Sequence, residues 1–149
     1  MLDSAIKNDE YTLLFQPIVS LKDYRIRCLE ALIRWVPEGG DPIPPDTFIP
    51  IAEDCGKITD IGKWVLRTVC RQAGAWREGI GEFPKIAINI STKQLANSEF
   101  RELFQSELVK HKISADCIEI ELTETSVMQN PDFVMEELSL LHEIGRAHV

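Results

Sequence analysis

The sequence lacks the features that mark several common classes of protein. Its four cysteines form no C-x-x-C pair, and none has a histidine at the spacing of a zinc site. We therefore expect free thiols in the reducing environment of the cytoplasm. No apolar run reaches the roughly 18 residues that a membrane span needs, and the opening stretch MLDSAIKNDE contains no secretory apolar segment. The sequence thus favours neither a disulfide-stabilised secreted domain nor a domain that this segment anchors in a membrane.

Positive charge is also scarce. Sixteen Lys and Arg residues stand against 24 Asp and Glu residues, which gives a formal net charge of −8. This balance argues against DNA, RNA or an anionic membrane as the main partner. An anionic ligand would need a local cation to offset the field. The length of 149 residues, with 44% hydrophobic and 27% charged residues, is typical of one globular domain with a real core.

Hydrophobic periodicity predicts two strands followed by an alternation of helices and strands. The first two strands are expected to form an antiparallel hairpin, and Pro17 suits an edge strand or a bulge. From the second strand onward the alternation predicts a parallel sheet covered by helices. The predicted elements are a helix end at 2–9, strands at 11–21, 25–35, 85–90 and 117–124, and helices at 46–54, 60–76, 92–97, 99–110 and 130–142.

Polar side chains interrupt three of the predicted strands near their carboxyl ends. Glu30 and Arg34 share one face of CLEALIRW, Asn89 lies in KIAINI, and Glu121 lies in CIEIELTE. Sites in parallel α/β folds are built at the carboxyl ends of the strands, so we expect Glu30, Asn89 and Glu121 to converge. Their oxygens suit Mg²⁺ or Mn²⁺ better than zinc. The alternatives are an exposed edge glutamate, an asparagine bonded to nearby backbone, and a simple Glu30–Arg34 ion pair.

An ordered set of sequence blocks resembles one known family. The blocks are EALIRW preceded by FQPIV, then PPDTFIPIAED, WVLRTVCRQAGAW, INISTKQL and EIELTET. From about Leu2 to Gly145 the chain is similar to the EAL domain, the phosphodiesterase that linearises cyclic di-GMP. The resemblance implies an α/β fold, a TIM-like (β/α)₈ barrel whose first strand is antiparallel to the rest. About four of the eight strands would be present here.

The resemblance also implies roles for individual residues. Glu30, Asn89 and Glu121 match the family's ligands for two Mg²⁺ or Mn²⁺ ions. The expected catalytic residues are Glu30 and Glu124, the latter as an acid that positions a loop. Arg34 matches a residue that contacts a phosphate of the ligand. The expected reaction is hydrolysis of cyclic di-GMP to linear pGpG. Substrate contacts are expected from Gln16, Leu32, Arg34 and Pro50.

The family pattern continues beyond the last block that this chain contains. A D-D-F-G block, a Lys, a further Glu and a Gln lie on later strands in the family and are not found in these 149 residues. A TIM barrel needs at least about 200 residues. We therefore expect residues 1–145 to be the N-terminal part of the domain and the chain alone to lack measurable hydrolysis. IGRAHV also matches one translated frame of a widely used sequencing adapter, so residues 146–149 are expected to be a non-native tail.

Two other functions stay open on the sequence alone. A non-catalytic EAL receptor would bind cyclic di-GMP and signal through a partner, although such members usually lose metal ligands that are intact here. A plain α/β interaction domain with an acidic surface would require the ordered blocks to be coincidental. For an EAL protein the family implies an EAL–EAL homodimer and upstream sensory or GGDEF modules as candidate partners.

Overall fold

The computed structural model describes residues 2–146, without the side chains of residues 124–126 and 144–146. Within that range the order of elements follows the prediction, with a 3₁₀ turn at Ala115–Cys117 and one short helix added. The strands are β1 (Tyr11–Val19), β2 (Ile26–Trp35), β3 (Lys85–Asn89) and β4 (Ile118–Glu121). The helices are α1 (Leu2–Ala5), α2 (Pro45–Asp54), α3 (Ile58–Ile80), α4 (Thr92–Leu95), α5 (Ser98–His111), α6 (Glu124–Gln129) and α7 (Pro131–Arg146).

The strands of the described residues form one sheet in the order β1-β2-β3-β4. β1 pairs with β2 in antiparallel fashion, whereas β2, β3 and β4 are parallel to one another, as the sequence predicts. Pro17 lies opposite Leu29 on β1, the strand at the end of this order. An edge strand tolerates the missing N–H of proline because its outer side needs no donor. The register of this hairpin shifts between Ile18 and Val19.

Helices cover one face of the sheet and form the main hydrophobic core. Ile86 and Ile88 of β3 are 0% and 1% exposed. They pack in one cluster with α3, whose buried side chains recur at the spacing of a helical face. Phe100 and Leu108 of α5 close the same cluster. Burial of this apolar surface is the dominant stabilising term for the fold.

A second hydrophobic cluster lies where β2 ends. The rings of Tyr11, Trp35 and Phe48 lie with their centroids 5.5–5.8 Å apart, and Ala5 of α1 packs beside them. The indole N–H of Trp35 donates to Glu10 at 2.8 Å. This cluster fixes α2 against the end of β2. It therefore sets the distance between α2 and the polar residues of that strand.

The structure corrects several predicted boundaries. The helix expected at 60–76 continues past Gly79 to Ile80, and the strand expected at 11–21 ends at Val19. The helix expected at 2–9 ends at Ala5, and the chain turns before Asp9, whose φ is 54°. The strand expected at 117–124 ends at Glu121, whose carbonyl accepts from the Ile90 N–H at 3.0 Å, just past the end of β3. The short helix α6 that follows it was not predicted. The last helix continues beyond 142 to Arg146. None of the helices within residues 2–146 has the length and apolar character to cross a membrane.

Candidate functional site

The structure brings Glu30, Asn89 and Glu121 together at the carboxyl ends of three neighbouring strands. Asn89 and Glu121 are register partners on β3 and β4, so their side chains point to the same face of the sheet. Glu30 pairs with Ala87, two residues before Asn89, and so lies on that face as well. The Asn89 Nδ2 donates to Glu30 Oε1 at 3.0 Å. The predicted convergence is therefore present, while the role of these residues as ligands stays a prediction.

Carboxylates crowd this face of the sheet. Partial burial raises the pKa of Glu121, and the negative charges of Glu30 and Glu119 raise it further, against a smaller opposing effect of Arg27. Arg27 forms the nearest cationic contact, with 3.4 Å between its Nη2 and Oε1 of Glu119. Burial also raises the pKa of the Cys28 thiol, and the negative charge of Glu119 raises it further. The face therefore carries an excess of negative charge that a bound cation would offset.

A cavity of about 500 Å³ opens beside the strand ends. Leu32, Arg34, Pro50, Asn89 and Glu121, all predicted site residues, contribute to its wall. This volume lies within the range of small-molecule binding sites. The cavity lies between β2, the start of α3 and α2, so the second hydrophobic cluster determines its width.

Two predicted site residues lie outside the cavity wall. Glu30 is half-buried and reaches the cavity only through its bond to Asn89. Gln16 is exposed on β1, directly opposite Glu30 in the register of the hairpin. The predicted catalytic side chain of Glu124 falls outside the described side chains, although its backbone begins α6. Three of the four predicted substrate contacts, Leu32, Arg34 and Pro50, thus share the cavity wall, and Gln16 does not.

Arg34, the residue predicted to contact a phosphate, lies in the cavity wall. Its side chain is half-buried, and Nη1 donates to the Ile33 carbonyl at 2.8 Å. This bond uses one of five guanidinium N–H groups, which leaves a fork of donors for a phosphate oxygen pair. An ordinary Glu30–Arg34 ion pair, the simpler alternative, is not among the ion pairs of the described side chains.

The donor set fits a hard divalent cation. Among the described side chains, no three His, Cys, Asp or Glu residues come close enough to hold a metal by themselves. An ion would therefore bind the two glutamates together with the amide oxygen of Asn89. Because Asn89 uses Nδ2 to reach Glu30, its Oδ1 is not consumed by that bond. Carboxylate and amide oxygens at crowded strand ends match the preference of Mg²⁺ or Mn²⁺.

The sequence-based reasoning missed one wall of the cavity. Asp46, Ile49, Pro50 and Glu53 all line it from α2. These positions follow the i, i+3, i+4, i+7 spacing of a single helical face. The signal was therefore present in PPDTFIPIAED, but only Pro50 was assigned a role. Gln94, buried at 3% exposure beside the same cavity, was also missed.

Comparison with known proteins identifies the relatives of this chain. The EAL domain family matches residues 1–147. The chain is 38% identical to "Signaling protein YkoW" of Bacillus subtilis over 145 residues, covering 97% of this chain and 18% of that protein. It is 32% identical to "Cyclic di-GMP phosphodiesterase PdeR" of Escherichia coli over 144 residues, covering 97% of this chain and 22% of that protein. The chain thus spans about a fifth of the length of these relatives.

Solved structures give the same relationship. "PaMucR Phosphodiesterase, c-di-GMP complex" superposes with a TM-score of 0.88 at 32% identity, over 97% of this chain and 58% of that chain. The EAL domain of Xanthomonas citri FimX in complex with c-diGMP superposes with a TM-score of 0.84 at 20% identity, over 96% and 55% of the two chains, which shows a shared fold. The chain belongs to the EAL domain family, and its sheet and helices form part of a TIM-barrel-like fold.

Proposed function

We propose that this chain carries the first metal ligands and part of the substrate site of a phosphodiesterase that hydrolyses cyclic di-GMP to pGpG. One observation supports this assignment above the others. Glu30, Asn89 and Glu121 meet at the ends of three strands beside a cavity that also contains Arg34. Relatives named as cyclic di-GMP phosphodiesterases support the same reaction.

Glu30, Asn89 and Glu121 are the proposed ligands of Mg²⁺ or Mn²⁺, with two ions expected in the complete domain. A bound divalent ion would lower the pKa of a coordinated water and stabilise charge on the phosphate. The chain prepares the site by holding three oxygen donors on one face of the sheet. The Asn89 amide orients the Glu30 carboxylate through their hydrogen bond.

The substrate is proposed to enter the cavity beside the strand ends. Arg34 would donate to a phosphate, while Leu32 and Pro50 offer apolar walls to a nucleotide base. Gln16 would contact the ligand from β1, next to Glu30. The role of Glu124 as an acid that positions a loop and supports catalysis stays a prediction.

Several features of the whole protein are also proposals. We place residues 1–145 in the N-terminal part of the EAL domain and regard residues 146–149 as a non-native tail, which sequencing of the genomic locus tests. The 149 residues alone are expected to show no measurable hydrolysis. An EAL–EAL homodimer, upstream sensory or GGDEF modules and a cytoplasmic location complete the proposal. One relative, named as a bifunctional diguanylate cyclase and cyclic di-GMP phosphodiesterase, supports the link to such modules.

Two carboxylates on one strand provide a matched test of the mechanism. Glu119 and Glu121 lie on the same face of β4, but only Glu121 borders Asn89 in the register, whereas Glu119 pairs with Arg27. In the complete reading frame, Glu121→Gln is expected to reduce cyclic di-GMP hydrolysis by about 100-fold or more, because metal-based stabilisation is worth several kcal/mol. Glu119→Gln is expected to retain most of the activity. The assay is the rate of pGpG formation with Mg²⁺ or Mn²⁺.

The same experiment separates the enzyme from a non-catalytic receptor. Cyclic di-GMP binding is measured by calorimetry on both variants, with Arg34→Ala as the substrate-site variant. An enzyme loses turnover in Glu121→Gln and loses affinity in Arg34→Ala. A receptor would show no pGpG formation in the unaltered protein while still binding cyclic di-GMP, and that result would overturn the proposed hydrolysis.

A further inference from the structure

Gln94 is a polar side chain that the fold buries beside the candidate metal site. It is 3% exposed and lies in INISTKQL, five residues after Asn89. Its Oε1 accepts from the Ser91 N–H at 2.8 Å, and its Nε2 donates to the Ile58 carbonyl at 2.7 Å. Both ends of the amide are therefore used, as the burial of a polar side chain requires.

The bond to Ile58 goes beyond ordinary helix capping. Ser91 and Gln94 form a capping box at the start of α4, in which each side chain bonds the backbone of the other residue. A capping box needs only those two bonds. The additional bond reaches the first residue of α3, which borders the same cavity. Gln94 therefore ties the segment that follows β3 to a second wall of the site.

Gly62 leaves the space that Gln94 occupies. A Cβ built on Gly62 would lie 1.9 Å from Gln94 Nε2 and 2.8 Å from its Cδ. Any side chain at position 62 would therefore displace the amide from Ile58. Gly79 lies in the same helix, and a Cβ there meets nothing within 4 Å. The two glycines differ in what surrounds them, so they form a natural pair for comparison.

Asn89 depends on this arrangement for its backbone position. The Ile90 N–H donates to the Glu121 carbonyl at 3.0 Å, which fixes the next residue to β4. The Ser91 N–H donates to Gln94, which fixes the following residue to α3. The exposed side chain of Asn89 bonds Glu30, which is itself a proposed ligand. Without the Gln94 side chain, Ser91 would keep its bond to the Leu95 N–H but would lose its link to α3.

We propose that Gln94 is a positioning residue that fixes the Asn89 amide for metal binding, and that Gly62 is required for it to do so. The inference rests on the proposed function, because it assigns Asn89 as a ligand. Gln94 acts through Ser91, since both of its polar groups are bonded to the protein. Loss of a group that orients a metal ligand typically weakens metal affinity 10- to 100-fold.

The first experiment follows the Asn89 side-chain amide by NMR in the metal-free, ¹⁵N-labelled 149-residue chain. Gln94→Ala and Gly62→Ala are each expected to shift the Asn89 amide signals and to reduce their hydrogen-exchange protection. The double variant is expected to match Gln94→Ala, because alanine at position 94 leaves no amide for the new Cβ to displace. If the signal shifts of the two single variants add in the double variant, Gln94 and Gly62 do not act through a shared mechanism.

Two control variants separate positioning from general loss of stability. Asn97→Ala removes the N-cap of α5, whose side chain accepts from the Glu99 N–H at 2.9 Å. Gly79→Ala adds a methyl group to α3 in open space. Both are expected to leave the Asn89 amide signals unchanged. If Gln94→Ala lowers the unfolding midpoint but leaves those signals as they are, Gln94 is a structural cap only, and the proposal is overturned.

The second experiment adds Mn²⁺ and follows paramagnetic broadening of the same signals. The unaltered chain is expected to show broadening. Gln94→Ala and Gly62→Ala are expected to need at least about 10-fold more Mn²⁺ for the same broadening. Equal Mn²⁺ affinity in all variants would overturn the proposal. Absence of broadening in the unaltered chain would instead contradict Mn²⁺ binding by Glu30, Asn89 and Glu121 without the later strands, while the metal-free comparison still decides whether Gln94 positions Asn89.

Discussion

The two faces of the sheet have different tasks in this molecule. The face under the helices carries Ile86 and Ile88, which are almost completely buried. The opposite face carries Leu14 at 52% exposure, together with the polar group around Glu30 and Asn89. Apolar packing on the first face holds the strands in register. Because that register aligns Asn89 with Glu121, packing on the covered face helps to position the polar residues of the open face.

The largest expected effect comes from removing apolar volume from the covered face. Ile88→Ala is expected to lower the free energy of unfolding by about 2–5 kcal/mol, through lost burial and a cavity in the main core. Leu14→Ala on the open face is expected to cost under about 0.5 kcal/mol. Urea unfolding of the 149-residue chain measures both. Similar losses at the two positions would show that the faces do not differ in this way.

An intermediate effect is expected from the crowded carboxylates of the open face. The raised pKa of Glu121 means that the folded state holds its proton more tightly than the unfolded state. Its contribution to stability is therefore present below the ordinary pKa of about 4.5 and is lost as the pH rises through the raised value. At pH 7 the free energy of unfolding of Glu121→Gln is expected to equal that of the unaltered chain or to exceed it. The difference is expected to be under about 1 kcal/mol because the group is partly exposed.

Glu99 provides the control of opposite sign for this pH dependence. The hydrogen bond and charge of Lys63 lower the pKa of Glu99, so its contribution is present at neutral pH and is lost as the pH falls through the lowered value. Thermal unfolding between pH 3 and pH 8 should therefore show opposite trends for Glu99→Gln and Glu121→Gln. Parallel trends would mean that the pKa of Glu121 is not raised by burial and by its neighbours.

The smallest expected effect concerns a hydroxyl on the covered side. Tyr11 Oη is buried, and among the described residues it has no hydrogen-bond partner. Tyr11→Phe is expected to leave the free energy of unfolding unchanged or to raise it by up to about 1 kcal/mol at pH 7, because an unsatisfied group is removed. A loss larger than that in urea unfolding would reveal a partner for the hydroxyl.

The same variant has a signature at alkaline pH. Burial, and to a lesser degree the charge of Glu10, raise the pKa of Tyr11 to about 12. The folded state thus resists ionisation, so stability is lost as the pH rises from the ordinary value of 10.0 towards about 12. Tyr11→Phe has no hydroxyl to ionise, so it does not lose stability in this way as the pH rises. Unfolding curves should therefore show a larger difference in stability between the two proteins at pH 11 than at pH 7.

Much of the fold could be predicted because the relevant signals are local. Pro17 favoured an edge strand or a bulge, and β1 lies at the end of the strand order. Alternation in CIEIELTE placed Glu121 on the same face as Glu119. Helical spacing located α3, whose Trp64 and Trp76 are partly buried against the two hydrophobic clusters. The end of β4 was misjudged because its pairing with β3 stops at the Asn89–Glu121 pair, whose members lie 32 positions apart in the chain.

The sequence by itself determined the order of the elements, the hairpin and which polar residues interrupt the strands. These follow from periods of 2 and 3.6 residues, which act between near neighbours in the chain. Only the tertiary structure decided that Gln94 reaches Ile58, that Gly62 leaves room for it, and that α2 forms one wall of the cavity. Such contacts join residues about 30 positions apart, and packing of whole elements sets them, so no local pattern records them.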